Sequence, residues 1–289
     1  MSIATAPPSH INPRRYHEAV SQDGPVAKAP PVCLYLETTN RCNLLCTTCP
    51  RTYEELEPPA DMSWELFTSI VDQVPNIARV VLHGVGEPML VRDLPRQVRY
   101  LKDRGAYVLF NTNGTLLTPR KGRELAEAGL DELRVSLDAA DAATYRAVRG
   151  KDFFARILRN VRAFTEMQVR EGLEKPRVSM WLTGLRETVE QLPAFVRVAN
   201  EAGVKEVYLQ RLVFFEESAI GMARPDQALF ERLTREESAH LEAAEALAAS
   251  LGMRFSASGA ASEPRMSSEI QTSGNLNEPC MMLSSEVCD

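Results

Sequence analysis

No apolar run in this 289-residue chain reaches the ~20 residues that a bilayer-spanning helix needs. The opening segment also lacks the apolar core of a secretion signal; residues 1–30 instead carry Pro7, Pro8, Pro13, Pro25 and Pro30. These absences lead us to expect a cytoplasmic protein with no membrane partner and an irregular lead-in over residues 1–30. An excess of positive charge is missing too. Lys and Arg total 33 against 39 Asp and Glu, for a net charge of −6, which argues against a broad nucleic-acid surface. Histidine is scarce at four residues, and the six cysteines are not spread as a disulfide framework would be. Cys42, Cys46 and Cys49 fall together, Cys280 and Cys288 lie near the end, and Cys33 stands alone. Such clustering in a chain without a secretion signal favours metal ligation over disulfides.

What is present suits a globular α/β protein. Apolar residues make up 44% and charged residues 25%, enough for a core without staples. A strand, a turn and a helix recur from Cys33 to about Arg211, with strands expected at Cys33–Glu37, Arg79–His83, Ala106–Asn111, Glu132–Asp138, Arg177–Leu182 and Glu206–Gln210. Several read as apolar runs, as strands buried on both faces do. Ser63 and Thr118 are placed to cap helices, and Gly105, Gly129 and Gly203 to end them before the next strand. The alternation implies a parallel sheet with right-handed crossovers, and strand order is open between a doubly wound sheet and a partial barrel. Residues 31–215 form the expected core unit. A C-terminal helix over Gln227–Leu251 and a further strand at Met253–Ser256 fall within 216–256, and residues 257–289 read as a flexible tail or incomplete auxiliary module.

The loop after the first strand reads Cys42-Asn43-Leu44-Leu45-Cys46-Thr47-Thr48-Cys49-Pro50. Three thiolates at this CxxxCxxC spacing can hold three corners of a [4Fe–4S] cube and leave the fourth iron open to a chelating ligand. Zinc is the rival; it wants four ligands, with a fourth from His83, Cys33 or Cys280. Buried structural cysteine is the other rival, but Asn40, Arg41, Asn43, Thr47 and Thr48 make the loop too polar for core. Cys33, in the apolar first strand, reads as core.

This loop resembles the signature of the radical S-adenosylmethionine (SAM) superfamily, and four further segments match that family in order. Gly84-Val85-Gly86-Glu87-Pro88 is similar to the segment whose backbone binds the SAM amino group; Glu87 either braces that turn or pairs with the ammonium. Asn111-Thr112-Asn113-Gly114 closes the third strand, where Asn111 or Asn113 would reach SAM or substrate. Val135-Ser136-Leu137-Asp138 closes the fourth. There the resemblance gives Ser136 and Asp138 the ribose hydroxyls, while Asp138 also reads as a cap for the next helix. In Thr144–Gly150, Arg149 resembles the arginine that faces the SAM carboxylate. Thr48 stands where an aromatic residue is common, at a largely backbone contact to adenine.

The resemblance implies a partial TIM-like (β/α)6 barrel closed laterally by the C-terminal helix. It also implies a [4Fe–4S] cluster and SAM as cofactors, a peptide or small-metabolite substrate, and an electron donor such as flavodoxin or ferredoxin. The branch most resembled carries a SPASM or Twitch extension with auxiliary clusters, for which Cys280 and Cys288 are an incomplete ligand set. No acid, base or hydrogen-atom donor is assigned: His83, Tyr208, Arg211 and Glu216 stand near strand ends, and each also reads as packing or solvated surface. The other readings are a zinc- or cluster-binding interaction module and a scaffold that keeps its cluster without cleaving SAM.

Overall fold

The computed structural model describes residues 31–53, 57–210, 227, 229 and 233–257. Seven strands, β1 (Cys33–Tyr35), β2 (Arg79–Leu82), β3 (Tyr107–Thr112), β4 (Glu132–Ser136), β5 (Arg177–Thr183), β6 (Glu206–Gln210) and β7 (Arg254–Ala257), pair in chain order, and every pair is parallel. The helices α1 (Trp64–Asp72), α2 (Leu94–Lys102), α3 (Pro119–Ala128), α4 (Ala142–Arg149), α5 (Phe154–Glu171), α6 (Leu192–Glu201) and α7 (Arg235–Ser250) fill the crossovers. A sheet whose strands follow one another without reversal is a partial barrel, and β1 and β7 are its free edges. The sheet expected with six strands thus carries a seventh, at the position read as one more strand. None of the described helices is long and apolar enough to cross a membrane.

Local chemistry explains the helix ends. Ser63 Oγ accepts from Leu66 N at 3.1 Å and Thr118 Oγ1 from Lys121 N at 3.3 Å, satisfying amides that the first turn leaves unpaired. Gly129, with φ +92°, ends α3 in the left-handed conformation that a side chain would oppose. Asp141 caps α4 through Thr144 N at 2.9 Å. Asp141→Ala is expected to cost about 1 kcal/mol, read as a lower urea midpoint; an unchanged midpoint would give the start of α4 to other contacts. The C-terminal helix begins at Arg235, not Gln227. Thr234 and Glu237 form a reciprocal capping box there, while Arg186 N donates to the carbonyl of Gln227. This helix lies against the edge strand β7. Its Ala244 and Ala248 join the core beneath the helices, and it packs on α6 and β7.

Strand side chains alternate. Val80, Leu82, Val108, Phe110, Leu133, Val135, Met180, Leu182, Val207 and Leu209 face outward into one core under the helices. The inward face differs from the apolar runs read in the sequence. Apolar Cys33, Val81 and Leu109 cluster there, but β4 to β6 turn charge inside. Glu132 bonds Arg134 Nε at 2.6 Å, Arg177 Nη2 at 2.9 Å and the Tyr107 hydroxyl at 3.0 Å. Arg134 lies over the Trp181 ring at 4.4 Å, and Trp181 stacks on Tyr208 at 4.1 Å. These side chains line the hollow of the barrel: Tyr107, Glu132 and Arg177 begin their strands, and Ser136 and Thr183 end theirs.

Candidate active site

The cysteine loop leaves β1 and crosses the carboxyl ends of the strands, and three neighbouring segments hold it there. Below it is the Gly84–Glu87 turn after β2. A Cβ on Gly86 would lie 1.9 Å from the carbonyl oxygen of Thr39 and 2.9 Å from that of Arg41, so only glycine lets the two backbones meet. Glu87 N donates to Arg41 O at 2.7 Å. The Glu87 carboxylate is buried and accepts from Met89 N at 3.0 Å, Thr112 Oγ1 at 2.7 Å and Asn113 N at 2.7 Å. These three bonds tie the turn after β2 to the end of β3. Burial pushes the pKa of Glu87 up, and the three donors oppose that push. Gly84 and Val85 are held by Glu37, whose Oε1 accepts from Val85 N at 2.6 Å. Sequence reading missed Glu37, although it continues the inward alternation of Cys33 and Tyr35.

On the second side, Asn43 donates to Thr115 Oγ1 and accepts from Asn113 Nδ2, both at 2.8 Å. Asn113 Nδ2 also lies 4.0 Å from Cys42 Sγ. On the third side, the loop clamps the end of α4. Thr47 N donates to Val148 O at 2.9 Å and Lys151 Nζ to Asn43 O at 2.7 Å, and Gly150 sits against the carbonyl of Leu45. Arg149 thereby points at the loop, its Nη1 3.5 Å from Cys46 Sγ and its Nη2 2.5 Å from Asp138 Oδ2. The other Asp138 oxygen accepts from Thr183 N at 2.7 Å. Asp138 therefore anchors Arg149 and β5, and the capping read for it falls to Asp141.

The structure brings Cys42, Cys46 and Cys49 into this one loop as half-buried free thiols. Burial raises the pKa of Cys42 and Cys49, so binding a cation there displaces protons. Leu44 N at 3.5 Å from Cys42 Sγ, together with Arg149 and Asn113, directs N–H groups at sulfur, a donor set suited to iron–sulfur ligation. Among the described residues no three His, Cys, Asp or Glu side chains converge to hold a single metal ion. Cys33 packs against Val81 and Leu109, away from the loop.

Several buried polar atoms around the loop have no hydrogen-bond partner: Arg149 Nε, the Tyr145 hydroxyl and Asn111 Oδ1. They are places for a ligand's polar groups. Thr48 and Ser136 are half-buried, Thr48 in the cysteine loop and Ser136 at the end of β4. Solvent reaches His83 within the hollow; enclosure by protein and the charge of Arg134 hold its pKa down at about 4, so its imidazole is neutral at pH 7. Tyr208 lies in the stack with Trp181, as its reading as packing implied. Arg211, Glu216, Cys280 and Cys288 lie outside the described residues.

A sequence model of the radical SAM superfamily matches residues 36–209. The tungsten-containing aldehyde ferredoxin oxidoreductase cofactor-modifying protein of Pyrococcus furiosus is 31% identical over 183 residues, 62% of this chain and 51% of that protein. The PqqA peptide cyclase of Streptomyces rochei is 34% identical over 136 residues, 47% of this chain and 37% of that one. The chain thus matches about half or less of the length of these relatives. SuiB of Streptococcus suis, solved with S-adenosylmethionine bound, superposes with a TM-score of 0.63 at 15% identity over 82% of this chain and 54% of SuiB, a likeness of fold; SuiB has also been solved bound to its precursor peptide SuiA.

Proposed function

The chain belongs to the radical SAM superfamily, and from that premise we propose that it cleaves SAM reductively and uses the resulting 5′-deoxyadenosyl radical to take a hydrogen atom from a peptide or small metabolite. The cofactors are a [4Fe–4S] cluster and SAM. When bound, they supply the electron transfer and the radical chemistry; the protein supplies binding, orientation and exclusion of water. The observation that carries this reading is the meeting of the three-cysteine loop, the Gly84–Glu87 turn, Asn113 and Arg149 at the carboxyl ends of the strands.

Cys42, Cys46 and Cys49 hold the cluster. N–H groups aimed at their sulfurs stabilise the charge there. Gly84, Val85 and Gly86 offer backbone to the SAM amino group, with the turn kept rigid by Glu87 and Glu37. Ser136 takes a ribose hydroxyl, and the backbone of Thr48 meets adenine. Asn111 and Asn113 reach SAM or substrate. Arg149 has donors beyond those spent on Asp138 and Cys46, and its unpaired Nε suits the SAM carboxylate. Asp138 fixes this arginine by the short contact at its Oδ2, a positioning part that joins the ribose role implied by resemblance. Flavodoxin or ferredoxin is the proposed electron donor. A peptide substrate is favoured by the relatives named for peptides.

The deciding experiment is anaerobic reconstitution, with iron and sulfide counted and 5′-deoxyadenosine assayed after dithionite is added. We expect about four irons per chain, brown protein and 5′-deoxyadenosine, with both iron and product lost in Cys42→Ala, Cys46→Ala and Cys49→Ala. Colourless zinc protein would make the chain a zinc module, and iron without SAM cleavage would make it a scaffold.

A further inference from the structure

The inner wall of the barrel carries cationic groups that its own residues do not satisfy. Arg134 is buried to within 2% of full enclosure on its side chain. It spends Nε on Glu132 and lays its plane over Trp181; its Nη1 and Nη2 have no acceptor among the described residues. Arg79 also faces inward and is fully buried, and its Nε, Nη1 and Nη2 are all without hydrogen-bond partners. Arg134 and Arg177 share Glu132, and Arg177 also faces Glu206; the inward Glu37 is engaged by the amide of Val85. Burial favours the neutral form of Glu206 despite Arg177 at 3.4 Å. Arg79 and the outer edge of Arg134 therefore lack a hydrogen-bonded counter-ion, a costly state unless an anion completes it.

The neighbours of Arg134 suit such an anion. Asn111 is its register partner on β3; its Nδ2 is the group that can donate to an anion, while its buried Oδ1, which has no partner, can accept from a neighbouring N–H or O–H of the ligand. His83 continues β2 beside Asn111 and presents an accessible imidazole that is neutral at pH 7. This row lies two residues below Ser136, roughly 7 Å deeper in the hollow by strand rise. A substrate held here leaves its reactive part at the level of the strand ends, the proposed seat of SAM.

We propose that the barrel hollow is a binding site for a carboxylate of the substrate, held by the free edge of the Arg134 guanidinium with Asn111 and His83 alongside. A planar fork matches a carboxylate in two parallel hydrogen bonds. The inference rests on the enzyme reading given above and names its substrate class.

The test is a fluorine NMR titration of para-fluorobenzoate into the reconstituted full chain with SAM present. para-Fluorobenzamide and para-fluorophenyl phosphate serve as the neutral and dianionic controls. We expect saturable broadening with the benzoate, none with the benzamide and weaker binding of the phosphate. Arg134→Gln should weaken benzoate binding at least ten-fold. Arg134→Lys, which keeps the charge and loses the fork, should weaken it several-fold, and it decides the matter if the glutamine variant fails to fold. Equal binding of benzoate and benzamide, tighter binding of the phosphate, or wild-type affinity in a folded Arg134→Lys protein would each overturn the proposal. Wild-type 5′-deoxyadenosine formation, run in parallel, tests the underlying reading separately. SAM cleavage without benzoate binding removes the carboxylate site alone. Benzoate binding without SAM cleavage removes the enzyme reading and leaves the anion site standing.

Discussion

Gly86→Ala will push the cysteine loop away from the turn after β2 and cut 5′-deoxyadenosine formation at least 100-fold. The added methyl group meets the Thr39 carbonyl at 1.9 Å and its carbon at 2.6 Å, with Arg41 O at 2.9 Å. All three are backbone atoms, so no side chain can swing aside. Relief requires the two segments to part, and parting them breaks the 2.7 Å bond from Glu87 N to Arg41 O. The Glu87 carboxylate reaches Thr112 and Asn113 across the same contact, so the shift passes to the turn after β3 and to Asn43. Overpacking of this kind costs typically 1–3 kcal/mol, while misplacement by about 1 Å at an active site can cost 10²-fold in rate. Gly172→Ala is the control. Its φ of +65° opposes a side chain, but nothing lies within 4 Å of the added methyl. It should lose about 1 kcal/mol of stability and leave iron content and product formation unchanged. Normal iron and product in Gly86→Ala would show that the close approach does not shape the site.

The parts of this protein that were legible in its sequence are those written locally. Glycine at the helix ends, Ser63 and Thr118 at the helix starts, and six of the seven principal strands depend on neighbours a few residues away. The seventh, β7, was visible as Met253–Ser256 because Gly252 and a short apolar run bound it. The helix start was misplaced at Gln227 because an Ala-, Leu- and Glu-rich composition outweighed the Thr234-to-Glu237 capping box four residues long. The three cysteines were legible for the same local reason. What holds them was not: Arg149 meets Cys46 across 103 residues, and Asn43 meets Asn113 across 70. Asp138 reads in the sequence as a ribose contact by resemblance and as a helix cap by its place after a strand; only the folded chain shows its oxygens directed at Arg149 and Thr183. The inward charge of β4 was present as the alternation Glu132-Leu133-Arg134-Val135-Ser136, but its partners come from β3 and β5.

That buried network supports the second large effect. Glu132→Gln should destabilise the protein by about 3–5 kcal/mol at pH 7, the usual result of removing one member of a buried ionic group. Glutamine fills the same volume, so packing is nearly unchanged and the loss is one of charge. Arg134 and Arg177 would then lack their shared anion, and Arg79, already without a hydrogen bond, would lose the negative charge nearest in effect to it. The pH dependence gives the sharper test. Burial alone would raise the pKa of Glu132, but Arg134 and Arg177 pull it down more strongly, to about 2 from an ordinary 4.5. A carboxylate with a depressed native pKa contributes its full stability above the unfolded-state value and loses it as pH falls through the native one. In urea unfolding, the gap between wild type and Glu132→Gln should therefore be widest at pH 7, narrower at pH 3 and closing only as pH falls below about 2. A gap of equal size at pH 7 and pH 3 would assign the loss to hydrogen-bond geometry. A gap that narrows assigns it to charge, and makes Glu132 the group that lets the barrel keep Arg134 buried with one edge free.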